Sequence, residues 1–141
     1  SGQPRVAFSA VFGESGGTVI GPFTVSIPLQ YKKVLSNIGS GYNPSTGVFT
    51  ALVKGMYFFR FSMFRNSQIT EFSVISLMKN GEVLASVWDG TSPDYNDMGS
   101  NTAVIALEPG DSVYVELIAD TAVYDDEHNY NTFSGFLLFP M

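Results

Sequence analysis

The chain has 141 residues, 45% hydrophobic and 14% aromatic, with no cysteine and a formal net charge of −6 from 13 acids and 7 bases. One domain of that length buries a core without covalent staples, and the missing cysteine excludes a disulfide scaffold, a zinc–cysteine site and a thiol nucleophile. The acidic balance argues against a nucleic-acid partner, which calls for a basic patch, and no run of about 18 or more apolar residues marks a transmembrane helix.

Alternating and β-branched or aromatic stretches dominate, broken by Gly, Pro, Asn and Asp, so the pattern predicts strands rather than helices. Arg5–Phe12 alternates with Val6, Phe8, Ala10 and Phe12 on one face. Glu14–Gly17 is a turn or loop. Thr18–Ile27 gives two short extended pieces interrupted at Gly21-Pro22, Tyr31–Ile38 is extended or irregular, and Gly39–Gly47 is a loop. A short strand over Val48–Leu52 leads into the longest one, which runs on to Arg65.

That long strand presents Tyr57, Phe59, Phe61 and Met63 on one side and Phe58, Arg60, Ser62 and Phe64 on the other, because successive side chains alternate. Aromatic side chains bury about 150–250 Å² each, too much for one side of a sheet to cover. One face is expected in the domain core and the other against another subunit.

Downstream, Phe72–Lys79 and Glu82–Trp88 flank Asn80-Gly81, a hairpin turn signal. Asp89–Gly99 reads as a polar loop, Ser100–Leu107 as a strand, Glu108–Asp111 as a turn and Ser112–Ala119 as an alternating strand. A second acidic loop spans Asp120–Asn131. Thr132–Phe139 closes the chain with Phe133, Leu137 and Phe139 opposite Phe136 and Leu138. About ten strands at this spacing predict an all-β sandwich, with the doubly apolar terminal strands in mid-sheet.

The spacing Tyr31-x5-Asn37-x4-Tyr42-x6-Phe49-x5-Gly55-x-Tyr57-x-Phe59-x-Phe61 resembles the signature of the complement C1q globular-domain family. Flanking blocks agree: Arg5–Ala10, Leu107–Val113 and Thr132–Leu138. The family pattern has Phe at the first position, where this chain has Tyr31. The resemblance implies a ten-stranded jelly roll of the C1q and tumour necrosis factor type, assembled as a compact homotrimer or heterotrimer. It implies a secreted, extracellular recognition module, not an enzyme, often preceded by a collagen-like stalk. Residues 1–4 then read as a tag or the end of that stalk, and residues 5–141 as the C1q-like domain.

Site residues follow from both readings. Phe58, Phe64, Phe136 and Leu138 are the expected trimer contacts. Asp89 and Asp97 resemble the acidic pair that some C1q-like domains place near the trimer axis to hold Ca²⁺, with Asp94, Tyr95 and Asn96 as further oxygen donors. Hard Ca²⁺ takes about six to eight oxygens, which three subunits can share; a solvated turn is the other reading of these residues. Tyr124, Asp125, Asp126, Glu127, His128 and Tyr130 form a loop tip suited to a basic protein or a hydroxyl-rich ligand, or else a solvated charge run. His128 is the only histidine, and no serine has the setting of a nucleophile beside it. Trp88 reads as structural rather than as a sugar-stacking platform. The expected function is recognition of a protein or glycan ligand in innate immunity, or else signalling to a cell-surface receptor as cerebellin-like and adiponectin-like ligands do.

Overall fold

The structure is a computed structural model that describes residues 3–90 and 96–141. Its strands are β1 (Ala7–Val11), β2 (Thr18–Ile20), β3 (Ile27–Pro28), β4 (Lys33–Ile38), β5 (Tyr42–Asn43), β6 (Val48–Thr50), β7 (Gly55–Asn66), β8 (Ser73–Lys79), β9 (Glu82–Asp89), β10 (Asn96–Leu107), β11 (Ser112–Leu117), β12 (Val123–Asp125) and β13 (Thr132–Pro140). One antiparallel sheet has the order β10-β7-β13-β1-β4. The facing sheet runs β5-β6-β11-β8-β9, with β3 also on β11, and β2 pairs with β12 as a separate ribbon. The strands nearest the two termini, β1 and β13, lie side by side inside the first sheet, as their doubly apolar character demands.

Each signature position has a physical task. Tyr57, Phe59 and Phe61 are fully buried on the inner face of β7, with Met63 beside them. Phe8 lies at the centre of the core, stacked on Tyr42 at 5.0 Å and on Phe49 at 5.1 Å and meeting Phe133 edge-on at 4.9 Å. Such ring pairs add about 0.5–1.5 kcal/mol each beyond the area they bury. Asn37 fastens the β4–β5 turn: its Nδ2 donates to the Tyr42 carbonyl at 2.8 Å and its Oδ1 accepts from Tyr42 N at 3.3 Å. Tyr42 Oη donates to the Tyr31 carbonyl and Tyr57 Oη to that of Val53. Gly55 is glycine because a Cβ there would come within 2.5 Å of Leu137 Cδ1 and 2.6 Å of the Phe139 carbonyl.

Two local expectations are corrected. First, strand β10 begins at Asn96, inside the stretch read as loop, because the whole of β7 offers a partner: the pairing continues from Leu107 opposite Gly55 to Asn96 opposite Asn66. Second, a bulge shifts the register of β13 against β7 between Leu137 and Phe139, so Phe139 sits opposite Met56 and is exposed rather than sharing the inner face of Phe133; an extra residue in one strand reverses its alternation. Trp88, read as structural, is 64% exposed, and its ring meets that of Phe72 at 5.5 Å.

Candidate functional site

Residues directly opposite in an antiparallel pair share a face. Across the first sheet Val104 opposes Phe58, Phe58 opposes Phe136, Phe136 opposes Ala7, and Ala7 opposes Ile38. One apolar row therefore crosses all five strands on the outward face, with Val104, Phe136 and Ile38 exposed and the Phe58 and Phe136 rings 5.2 Å apart. Met56, Ala106 and the bulged Leu138 and Phe139 extend it at one end of the sheet. The next row toward the other end is wholly polar: Thr102, Arg60, Ser134, Ser9 and Ser36. Ser9 and Ser134 share a hydrogen bond of 3.0 Å, and Ser62 with Thr132 one of 2.7 Å in the row beyond. Alternation in β7 and β13 revealed Phe58, Phe136 and Leu138. The contributions of Val104 and Ile38 escaped notice because the sequence does not show which strands are neighbours.

Phe64 stands apart from that row. Its ring is half-buried beneath the chain's own loop, stacked on Tyr130 at 4.1 Å and tilted against Tyr124 at 5.9 Å. His128 continues the stack outward, 5.8 Å from Tyr130. An intrachain aromatic pile thus covers part of Phe64, one of the four side chains expected against another subunit.

The loop above it is built on a buried carboxylate. Asp125 ends β12 and is fully buried, its Oδ1 accepting the Tyr130 amide at 2.9 Å. Asn131 Nδ2 donates to the Tyr124 carbonyl at 2.7 Å, closing the turn from the other side. Asp125 is therefore removed from the expected ligand surface: it holds the loop from below, since its peptide neighbours need an acceptor that solvent cannot reach. Burial pushes its carboxyl above the ordinary value of 3.8, and hydrogen bonds from Tyr130, Asp126 and Asn131 offset only part of that. Asp125 Oδ2 and Tyr31 Oη, both buried, make no hydrogen bond among the described residues.

The tip itself presents Asp126, Glu127 and His128. The Asp126 Oδ1 accepts from the His128 amide at 2.8 Å and lies 3.0 Å from the ring Nδ1. Burial raises the Asp126 carboxyl, but the hydrogen bonds and charge of His128 outweigh it and hold the group below 3.8. Tyr124 Oη donates to Asp126 Oδ2 at 3.4 Å, and the Gly16 amide to Glu127 Oε2 at 3.4 Å. Within this acidic surround the Tyr130 phenol is raised, by burial first and by the carboxylates after it. One ligand atom from each of Asp126, Glu127 and His128 lies within 4.8 Å of the others.

Asp89 closes β9 and Asp97 lies in the first residues of β10, so the pair flanks the segment 90–95. Asp89 is half-buried and accepts the Gly90 amide at 2.8 Å. Asp97 lies opposite Arg65, whose buried guanidinium donates to the Glu71 and Ile69 carbonyls and to Ser73 Oγ. Asp94 and Tyr95 lie outside the described residues. Both aspartates offer hard carboxylate oxygens, the donor kind Ca²⁺ takes.

Two facing antiparallel sheets with β1 and β13 paired in the middle of one make a jelly-roll domain of the C1q and tumour necrosis factor type. The C1q domain family model matches residues 7–138. Complement C1q tumor necrosis factor-related protein 3 of Mus musculus and that of Homo sapiens are each 38% identical over 109 residues, 77% of this chain and 44% of theirs. The chain thus spans less than half the length of these relatives. Among solved structures, the globular domain of zebrafish complement 1qA superposes with a TM-score of 0.74 at 24% identity, over 96% of this chain and 99% of that one. Eiger TNF from S. frugiperda gives 0.72 at 14% over 99% and 96%, and murine APRIL 0.71 at 14% over 96% and 100%. The chain belongs to the C1q domain family.

Proposed function

We propose that this chain is a non-catalytic, secreted recognition module that works as a homotrimer and binds an extracellular protein or glycan in innate immune pattern recognition. The observation that carries the reading is the apolar row from Val104 through Phe58, Phe136 and Ala7 to Ile38. A continuous apolar strip of that width on a soluble domain marks an interaction surface. Its burial is worth on the order of 25 cal/mol per Å², from which the cost of association is subtracted. Phe58, Phe136 and Leu138 are the proposed contacts, with Phe64 contributing only the edge that Tyr124 and Tyr130 leave open. The surface for the ligand is the exposed tip formed by Glu127 and His128 with Tyr124, Asp126 and Tyr130. A trimer multiplies weak single sites into avidity.

Calcium belongs to the same proposal. Asp89 and Asp97, repeated by symmetry, would hold Ca²⁺ between subunits, neutralising carboxylates that otherwise repel. The name shared by the two relatives above, with its tumor necrosis factor component, favours a second reading: a secreted signalling or organiser ligand for a cell-surface receptor.

Sedimentation at micromolar concentration tests the assembly: one species at three times the chain mass is expected, and a single monomer would sink the proposal. A glycan array separates the ligand readings, salt-tolerant sugar binding supporting pattern recognition and a blank array the receptor ligand. For calcium, chelator should lower the melting temperature of the wild type but not of Asp89→Asn; equal curves for both would remove the metal from the account.

A further inference from the structure

We propose that Asn80 is a deamidation site which the native fold holds in check by latching its amide to the β10–β11 turn, and that the reaction, once it occurs, releases the latch for good. Asn80 is the only asparagine of the chain followed by a glycine. Glycine has no Cβ to shield its amide nitrogen, which leaves that nitrogen free to approach the side chain before it. Asn80 and Gly81 are both exposed, and nothing lies within 4 Å of where a Gly81 Cβ would stand. Asn80 has φ 50° and Gly81 φ 87°, the pair of positive values that a two-residue hairpin turn requires, and the turn closes with Lys79 opposite Glu82. The hairpin belongs to the facing sheet, away from the apolar strip that crosses the β7 sheet.

The reaction consumes only water. The Gly81 nitrogen gives its proton to hydroxide and bonds to Asn80 Cγ; the Cγ–Nδ2 bond breaks, and Nδ2 takes up a proton and leaves as ammonia. Water then opens the resulting succinimide at either carbonyl, leaving an aspartate at position 80 or an isoaspartate whose main chain is longer by a methylene. Attack requires the side chain to turn its Cγ onto the Gly81 nitrogen, and the fold opposes that turn. Asn80 Nδ2 donates to Asp111 Oδ1 at 2.9 Å, and its Oδ1 accepts the Ser112 amide at 2.9 Å. Its own amide donates to the Ser112 carbonyl at 3.0 Å. Asn80 thereby ties the β8–β9 hairpin to the first residue of β11. Asp111 is fixed in its turn, with Oδ2 accepting the Glu108 amide at 2.8 Å and lying 3.9 Å from Lys79 Nζ. The hydrogen bond from Asn80 is the largest cause holding the Asp111 carboxyl below 3.8. Deamidation replaces that donor with a second carboxylate, which repels the first, and the isoaspartate also spoils the fit of a two-residue turn between Lys79 and Glu82.

The test is peptide-mapping mass spectrometry of the wild type and Asp111→Ala, each incubated in mildly alkaline buffer folded and in guanidinium chloride. Unfolded, the two should convert position 80 at the same rate. Folded, the wild type should convert it about tenfold more slowly or slower still, because both side-chain hydrogen bonds must break before attack. Folded Asp111→Ala, its fold verified by far-ultraviolet circular dichroism, should convert faster than the folded wild type. An unfolded chain that leaves position 80 intact would overturn the site. Equal rates for the folded and unfolded wild type would overturn the restraint, as would a faster folded chain, since the Ser112 amide would then be stabilising the oxyanion of the attack. A folded Asp111→Ala no faster than the folded wild type would overturn the latch. Asn80→Asp tests the consequence even where Asp111→Ala fails to fold: it should melt below the wild type, and an equal melting temperature would show that the turn does not depend on the amide.

Discussion

Tyr31 Oη and Asp125 Oδ2 are the two buried side-chain polar atoms without a hydrogen bond among the described residues, and burial first, then Tyr42 and Asp125, raises the Tyr31 phenol. The family pattern has Phe where this chain has Tyr31, so this position carries an additional, buried hydroxyl. The carboxylate fixes the sign of a pH effect. Asp125 binds its proton more tightly folded than unfolded, because burial raises its carboxyl above 3.8. Its contribution is then fully present below 3.8 and is lost as pH rises through the folded value. Asp125→Asn keeps the Oδ1 acceptor for the Tyr130 amide and carries no charge. The melting temperature of the wild type minus that of Asp125→Asn should therefore fall as pH is raised above 3.8. Asp111 and Asp126, whose carboxyls are lowered, act in the opposite sense but are common to both proteins and cancel. A difference that grows with pH, measured by scanning fluorimetry at stepped pH, would show that Asp125 is stabilised as a carboxylate. Tyr31→Phe should raise the melting temperature, since a buried unpaired hydroxyl costs about 1–3 kcal/mol. A drop would show that the phenol serves Asp125 as a donor.

Strands β7 and β13 form the element on which both faces depend, and Gly135, like Gly55, is a point where they approach too closely for a Cβ. It lies opposite Phe59, and a Cβ there would come within 2.5 Å of Phe59 Cδ1 and 2.9 Å of Phe8 Cε1. Neither ring has room to retreat: Phe8 is held by Tyr42, Phe49 and Phe133, and Phe59 by Phe49, Tyr57 and Phe133. Gly135→Ala should cost about 1–3 kcal/mol, the usual range for an extra methyl group in a full core. Urea unfolding measures it, and a loss below about 0.5 kcal/mol, the ordinary scatter of surface changes, would mean that the rings do yield. The same pair of strands shows what the sequence makes legible. Period-two alternation is a local property, so the buried set Tyr57, Phe59, Phe61 and Met63 and its outward counterpart Phe58 could be read directly. Bulges, pairings and covers are not local. Phe139 changed sides through one register shift, Phe64 was roofed by Tyr130 from a loop far away in sequence, and Asp125 went under its loop because β12 pairs with β2. Val104 and Ile38 complete the apolar strip only once β10 and β4 are known to be the edges of that sheet.

At the scale of the whole molecule the strip and the polar belt divide one sheet face into zones, and only the strip can drive association. Phe58 is its centre, touching Phe136 across β13 and opposing Val104 on β10. Phe58→Glu leaves the inner face of β7 untouched, because the side chain points away from the core. In the single chain it is a half-buried to solvent-facing change of modest cost. In the assembly it places a carboxylate in an apolar contact in every copy, and taking each one out of water costs several kcal/mol after relaxation. The variant should therefore sediment as a monomer, or aggregate where the remaining strip is left open, while its circular dichroism stays that of the wild type. Phe72→Glu is the matching control. Phe72 is 48% exposed, packs on Trp88 of β9 and lies just before β8 of the other sheet, so its replacement should leave the oligomer intact. If Phe72→Glu dissociates the assembly and Phe58→Glu does not, the association surface is the Phe72–Trp88 side, and the outward face of the β7 sheet then faces a different partner.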